Sequence, residues 1–269
     1  MKLLAAFLYP VKSMRGVQVD ALELDRKGIV GDRRWMVVDE KGHFVTQRNV
    51  PVLTRLQPAL APGGLRIDDG ATVLEVEAPS GTAPRRRVTV WRDTFEALDA
   101  GDEAAGWLSV RVGFACRLVH FAADVRRAVD PKYAPGSETT FTDGYPLLVT
   151  NEASLDALNA TLAQPVPMAR FRPNLVVRAP TAWAEDRWAE LDVGGLTLSG
   201  VKPCARCVAI TRDQHTGAQP DGQAPLSALA ALHALPGRGA IFGMNLVHRA
   251  TGVLEVGAEV RVTREADPV

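Results

Sequence analysis

Lys202-Pro203-Cys204-Ala205-Arg206-Cys207-Val208-Ala209-Ile210-Thr211 is the stretch from which the rest of the chain can be read. It carries two of only three cysteines, with Arg206 directly against the second thiol. The β-branched run Val208 to Thr211 predicts a buried strand with the cysteine pair at its entrance. A neighbouring cation favours the thiolate, the form that binds soft metals and attacks electrophiles. Several chemistries fit such a pair. A structural zinc site needs four ligands, and no second Cys or His pair at finger spacing is present. A thioredoxin-like pair opens a helix, whereas this one leads into an apolar run. Two buried structural cysteines remain a plain reading. One thiolate on a redox metal is the other, and the arginine fork beside it also matches a phosphate.

Outward from that stretch, 269 residues with 46% hydrophobic content suit one large domain or two intimate ones. Lys plus Arg equals Asp plus Glu at 31 each, which gives no basis for nucleic-acid binding or for an acidic membrane surface. An odd cysteine count argues against a disulfide framework and for a reducing compartment. No apolar run reaches membrane-spanning length, and Leu3 to Leu8 reads as a first strand rather than a leader. The expectation is a cytoplasmic protein.

Lys12, Ser13 and Arg15 sit in a short loop closed by Gly16, suited to an anion, although a solvated basic turn reads the same way. Trp35 to Val38 and Phe44 to Thr46 predict a hairpin, with Arg48 read as a surface charge. Short alternating runs at Leu65–Ile67, Val73–Val76 and Val88–Trp91 suggest a small β-domain or barrel. Arg85 to Arg87 read as a solvated edge that discourages strand pairing. A helix is expected over Gly101 to Val112, and Cys116 reads as core filler in a strand. Residues 121 to 144 predict a crossover whose loops overhang the site. Asn151 has the chemistry of an N-cap, and the helix start behind it offers amides to a phosphate or serves only as a cap. Arg172 and Asn174 bracket the mouth of a strand that Pro173 confines to a sheet edge or a strand start. Trp183 and Trp188 read as a lid or rim, or as packing alone. A helix from Pro225 to Leu235 and strands near 242–247 and 260–262 complete the pattern. No Walker or dinucleotide glycine fingerprint occurs.

Pro203-Cys204-Ala205-Arg206-Cys207 with Thr211, Asp213 and Thr216-Gly217 resembles the MOSC domain, in the branch of the mitochondrial amidoxime-reducing component and bacterial YcbX-type proteins. Further blocks agree in the same order: Tyr9–Ser13, Gly31–Trp35, Asn151–Leu155, Phe171–Asn174 and Ala184–Trp188. The resemblance implies an α+β fold, mainly β with some α. A small N-terminal β-domain (1–122) would pack on a MOSC-type β-barrel (123–269). It implies a molybdenum–molybdopterin cofactor, with or without a nucleotide, whose metal is bound by Cys207, the catalytic residue. By the same resemblance, Lys12, Ser13, Arg33, Asn151, Arg172, Asn174 and Arg206 would hold the pterin and its phosphate. The implied activity is reduction of N-hydroxylated small molecules, with oxygen passing from N–O to molybdenum. A separate electron-donor protein is expected, either a flavoprotein reductase or a ferredoxin-like protein, because the chain has too few cysteines for an iron–sulfur cluster. Neither a nucleic acid nor a membrane is expected as a partner. Two alternatives stay open: a sulfur carrier using a cysteine persulfide, and a non-catalytic carrier of the cofactor.

Overall fold

A computed structural model describes residues 1–266. Strands hold 41% of the residues and helices 17%, mainly β with some α as the sequence predicts. The largest sheet runs in the order Val17–Val19, Leu3–Leu8, Leu175–Val177, Leu147–Asn151, Gly239–His248, Leu196–Ala205, Trp188–Val193 and Val260–Glu265, with Ala234–Leu235 added beside Gly239–His248. Among the described strands of this sheet, Leu147–Asn151 and Leu175–Val177 are the one pair that runs parallel. The last strand of this sheet meets the start of the chain's first strand. Lys2 bridges Glu259, and the Val260 amide donates to the Met1 carbonyl at 2.9 Å. Closure removes open edges and lets alternate side chains fill the interior. Leu3, Ala6, Leu8, Leu22 and Leu24 accordingly pack with Leu147, Val149, Leu191 and Leu246 in one core.

A second core lies under a four-stranded sheet (Trp35–Asp39, Cys116–His120, Asp93–Asp99, Arg85–Val90) and a three-stranded one (Gln57–Ala61, Gly64–Asp68, Val73–Glu77). Helix α1, Asp102–Val112, covers it with Ala104 and Leu108, and Cys116 fills a gap there as predicted. Asp102 and Glu103 face the positive end of α1, and Gly113 closes it at φ 88°. Arg85 to Arg87 lie exposed on the outermost strand of their sheet. We propose 1–122 and 123–269 as sequence units. Backbone hydrogen bonds cross that division, because the first strand belongs to the large sheet.

Three expectations are corrected. Val208–Thr211 is a single 3₁₀ turn rather than a strand; Thr211 Oγ1 donates back to the Val208 carbonyl at 2.8 Å, and Ile210 enters a core with Phe171 and Phe242. The pair therefore closes the strand Leu196–Ala205 instead of opening one. The last helix, α3, stops at Leu232, and Ala234–Leu235 turns back as a strand (α2, Glu152–Asn159, lies between α1 and α3). Trp188 is core, while Trp183 stacks on His233 with ring centroids 4.1 Å apart, so neither forms a rim.

Beside Trp183, Glu185 is fully buried. Ser154 Oγ donates to its Oε2 at 2.8 Å, and Oε1 has no partner among the described residues. Burial raises this carboxyl to about 7, with Asp186 adding to the effect. A carboxyl raised in the folded state contributes stability below its unfolded value near 4.5. That contribution is lost as pH rises through 7. Glu185→Gln should remove this step: relative to the variant, the native chain loses on the order of 2–3 kcal/mol between pH 4.5 and 7.5 in urea unfolding.

Candidate functional site

The strand Leu196–Ala205 delivers the cysteines to one mouth of the barrel. There the Arg206 amide donates to Ala240 O at 2.8 Å and keeps the segment on the neighbouring strand. Cys207 follows in an extended conformation with an exposed, free thiol. Cys204 is half-buried and its sulfur accepts from Arg206 Nη1 at 3.0 Å. Arg206 Nη2 donates to Phe171 O at 2.7 Å, whereas its Nε is buried without a partner among the described residues.

Opposite the cysteines, Arg33 and Arg172 lie against the same Tyr9 ring, at 4.0 and 4.4 Å from its centre. Arg172 Nη1 donates to Met14 O at 2.6 Å, and Arg33 Nη1 pairs with Asp32 Oδ2 at 2.6 Å. Burial, with Arg33 close by, pushes Arg172 down to about 10, and burial pushes the Tyr9 phenol up to about 12. Lys12 is buried too, and its Nζ meets Asp143 Oδ1 at 2.5 Å. Burial lowers Lys12 to about 8 although Asp143 opposes the shift, and Lys12 in turn holds the Asp143 carboxyl well below the usual range.

These groups border an inner cavity of about 160 Å³, which opens into an outer compartment of about 800 Å³. Cys207, Arg206, Arg48 and Asp143 border both, so Cys207 stands at the junction. Among the described residues five non-glycine residues adopt positive φ: Ser13 (68°), Arg33 (45°), Trp91 (58°), Arg172 (53°) and Trp183. The first four line these two spaces, a concentration of backbone strain typical of working sites.

Of the residues singled out in the sequence, Lys12, Ser13, Arg33, Arg172, Asn174, Arg206 and Cys207 all line the inner cavity. Asn174 does so with its amide spent: it donates to Phe7 O and Asp32 Oδ1 and accepts from the Leu148 amide. It positions the strands rather than offering a free group. Asn151 is not brought to the cavity. Its Oδ1 accepts from the amides of Ala153 and Ala179, and its Nδ2 donates to Thr181 O. With no exposed surface it is an N-cap only. Sequence reading took Arg48 for a surface charge and gave Asp143, Tyr9 and Trp91 no role in the site. Trp91 left one signal, a two-residue turn without glycine.

The inner cavity therefore presents buried and half-buried cations to a small anion, with two free cysteines on its wall, of which Cys207 is exposed. The model of the MOSC N-terminal beta barrel domain matches residues 1–114, and that of the MOSC domain matches residues 136–261. Mitochondrial amidoxime-reducing component 1 of Mus musculus is 32% identical over 272 residues, covering 94% of this chain and 80% of that protein. Its Homo sapiens counterpart is 31% identical over 273 residues with the same coverage. A molybdenum cofactor sulfurase of Danio rerio is 30% identical over 283 residues, covering 94% of this chain and 33% of that protein.

An anion beside Lys12 favours its charged form. Phosphate binding to the cofactor-free protein should therefore take up a proton above pH 8, and its affinity should fall as pH rises through 8. Calorimetry in buffers of differing ionisation enthalpy measures both effects, and Lys12→Met should abolish the pH step.

Proposed function

The chain belongs to the MOSC family and carries both its N-terminal beta barrel domain and its MOSC domain; from that premise we propose that it is a molybdenum cofactor-dependent reductase of N-hydroxylated compounds. The observation that carries this reading is the exposed Cys207 thiol at the junction of a cationic inner cavity and an open outer compartment. The residues present fit a molybdopterin. Arg206 Nε is buried and unpartnered among the described residues, and Arg33 and Arg172 lie against one tyrosine ring beside it. Among the described residues no group of three His, Cys, Asp or Glu side chains is placed to hold a metal, so in this reading further donors would come from the cofactor.

When bound, the cofactor supplies the two-electron redox centre for N–O cleavage. The protein's part is position and charge. Arg33, Arg172 and Arg206 are fixed by carbonyl and ring contacts, so their forks meet a phosphate or pterin edge without reorganising. Lys12 adds a buried ammonium, tethered by Asp143 at the wall shared with the outer compartment. Reduction of an N–OH group consumes two electrons and two protons and releases water, and the outer compartment is wide enough to admit both substrate and solvent. A separate protein, a flavoprotein reductase or a ferredoxin-like carrier, delivers the electrons. The compartment of action in this reading is the cytoplasm, although the relatives are named mitochondrial. Among the described residues no helix is long and apolar enough to cross a membrane.

Protein made in a molybdenum-competent host should hold one molybdenum per chain. It should reduce benzamidoxime or hydroxylaminopurine with a reduced dye, and not with NADH alone. Cys207→Ala should lose the metal and at least about a hundredfold of activity, more than outer residues of a metal site cost. Metal-free protein with cyanide-labile sulfur would assign the chain to sulfur transfer instead. Tightly bound molybdenum without N–O reduction would make it a cofactor carrier.

A further inference from the structure

The hairpin between Arg85–Val90 and Asp93–Asp99 turns on two residues, Trp91 and Arg92. Trp91 takes φ 58°, and a two-residue hairpin ordinarily gives such a position to glycine or asparagine. A bulky side chain there is strained unless its surroundings hold it. They do: the Arg48 guanidinium lies 4.5 Å from the ring centre, Phe44 packs at 5.2 Å, and Nε1 donates to Asp143 Oδ1 at 3.1 Å. Even so the indole is 49% exposed, and it lines the outer compartment that ends at Cys207. Fold stability alone gives no reason for a strained, half-exposed tryptophan at a hairpin tip.

The charge of the same compartment is uneven. Asp143 is taken by Lys12, Asp93 by Arg127, and Asp130 lies 3.6 Å from Arg92. Arg48, Lys202 and Arg206 have no carboxylate partner among the described residues. An amidoxime is neutral at pH 7, whereas the amidine left after its oxygen is removed is a cation. A compartment with surplus positive charge favours the first and repels the second.

We propose that Trp91, backed by Arg48, is the platform on which the planar conjugated part of the substrate stacks beside Cys207, and that the unpaired cations around it discriminate against the cationic product. The inference rests on the reductase reading for its substrate class. It makes planar aromatic N-hydroxylated compounds the preferred substrates over aliphatic ones, through stacking that any conjugated ring can make.

Trp91→Gly tests the platform, because glycine suits the backbone there and the variant should melt no lower than the native chain. At equal molybdenum content, the ratio of kcat/KM for benzamidoxime to that for acetamidoxime should fall about tenfold in Trp91→Gly, mostly through KM. Trp91→Phe should restore most of it. The same ratio in all three proteins overturns the platform. Calorimetric binding of benzamidoxime without any electron donor should weaken by a similar factor in Trp91→Gly. If it does so in protein that turns over nothing, the reductase reading fails and the platform stands. If benzamidoxime does not bind, or binds both proteins alike, the platform fails. Benzamidine should bind at least about fivefold more weakly than benzamidoxime to the native protein, and Lys202→Gln should narrow that gap. Equal affinity for the two removes the charge discrimination.

Discussion

Two guanidinium groups sharing one tyrosine ring set the terms for this structure. Arg33 and Arg172 are remote in sequence, and both lie against Tyr9. Bringing like charges together in a buried place is unfavourable unless something compensates. The buried Asp32 supplies part of the compensation: its Oδ2 pairs with Arg33, and its Oδ1 accepts from the Tyr9 amide and from Asn174 Nδ2. The aromatic face supplies another part through cation–π contact. With Lys12, Arg48 and Arg206 added around the inner cavity, one carboxylate at Asp143 and one at Asp32 leave the ensemble short of negative charge. A folded protein that sustains such a deficit is prepared for an anion.

The barrel makes that crowding possible. Its closing contacts come from Met1 to Leu3, so Lys12 and Ser13 leave the first strand at the same mouth where Arg172 and Cys207 arrive from the other half. Tyr9 lies one residue past that strand, and the Phe7 amide donates to Asn174 O at 2.9 Å, which fixes the ring relative to both arginines. Pairing register therefore sets the shape of the inner cavity. At Gly243 a Cβ would meet the Val149 carbonyl oxygen at 2.6 Å, so the strand behind the cysteines runs against its neighbour at a distance only glycine allows.

Part of the cavity was legible from the residues, as a basic loop, a strand mouth and an arginine beside a thiol, and the family resemblance singled out the rest. Lys12, Ser13, Arg172, Arg206 and Cys207 are of the first kind, and Arg33 is of the second. What failed to show depends on pairing. Val208–Thr211 has the composition of a strand, but the one preceding it already fills that place in the sheet, and the run collapses into a 3₁₀ turn to bury Ile210. Asn151 has the right chemistry in the wrong place, since three backbone groups consume its amide. Arg48 read as a surface charge because nothing local shows that Trp91, 43 positions later, folds over it.

The two cysteines separate on the same grounds. Cys204 gives its sulfur to Arg206 Nη1, and Arg206 is thereby clamped between that sulfur and the Phe171 carbonyl, with Nε left facing the interior. Cys207 is three residues further on, beyond the end of the strand, with its thiol exposed. Both cysteines border the inner cavity, but only Cys207 is exposed and also borders the outer compartment, so access rather than thiolate chemistry makes it the better candidate for a metal. The motif thus divides its labour by position in the strand. The cysteine still within the sheet orients the arginine, and the one past its end is free to bind.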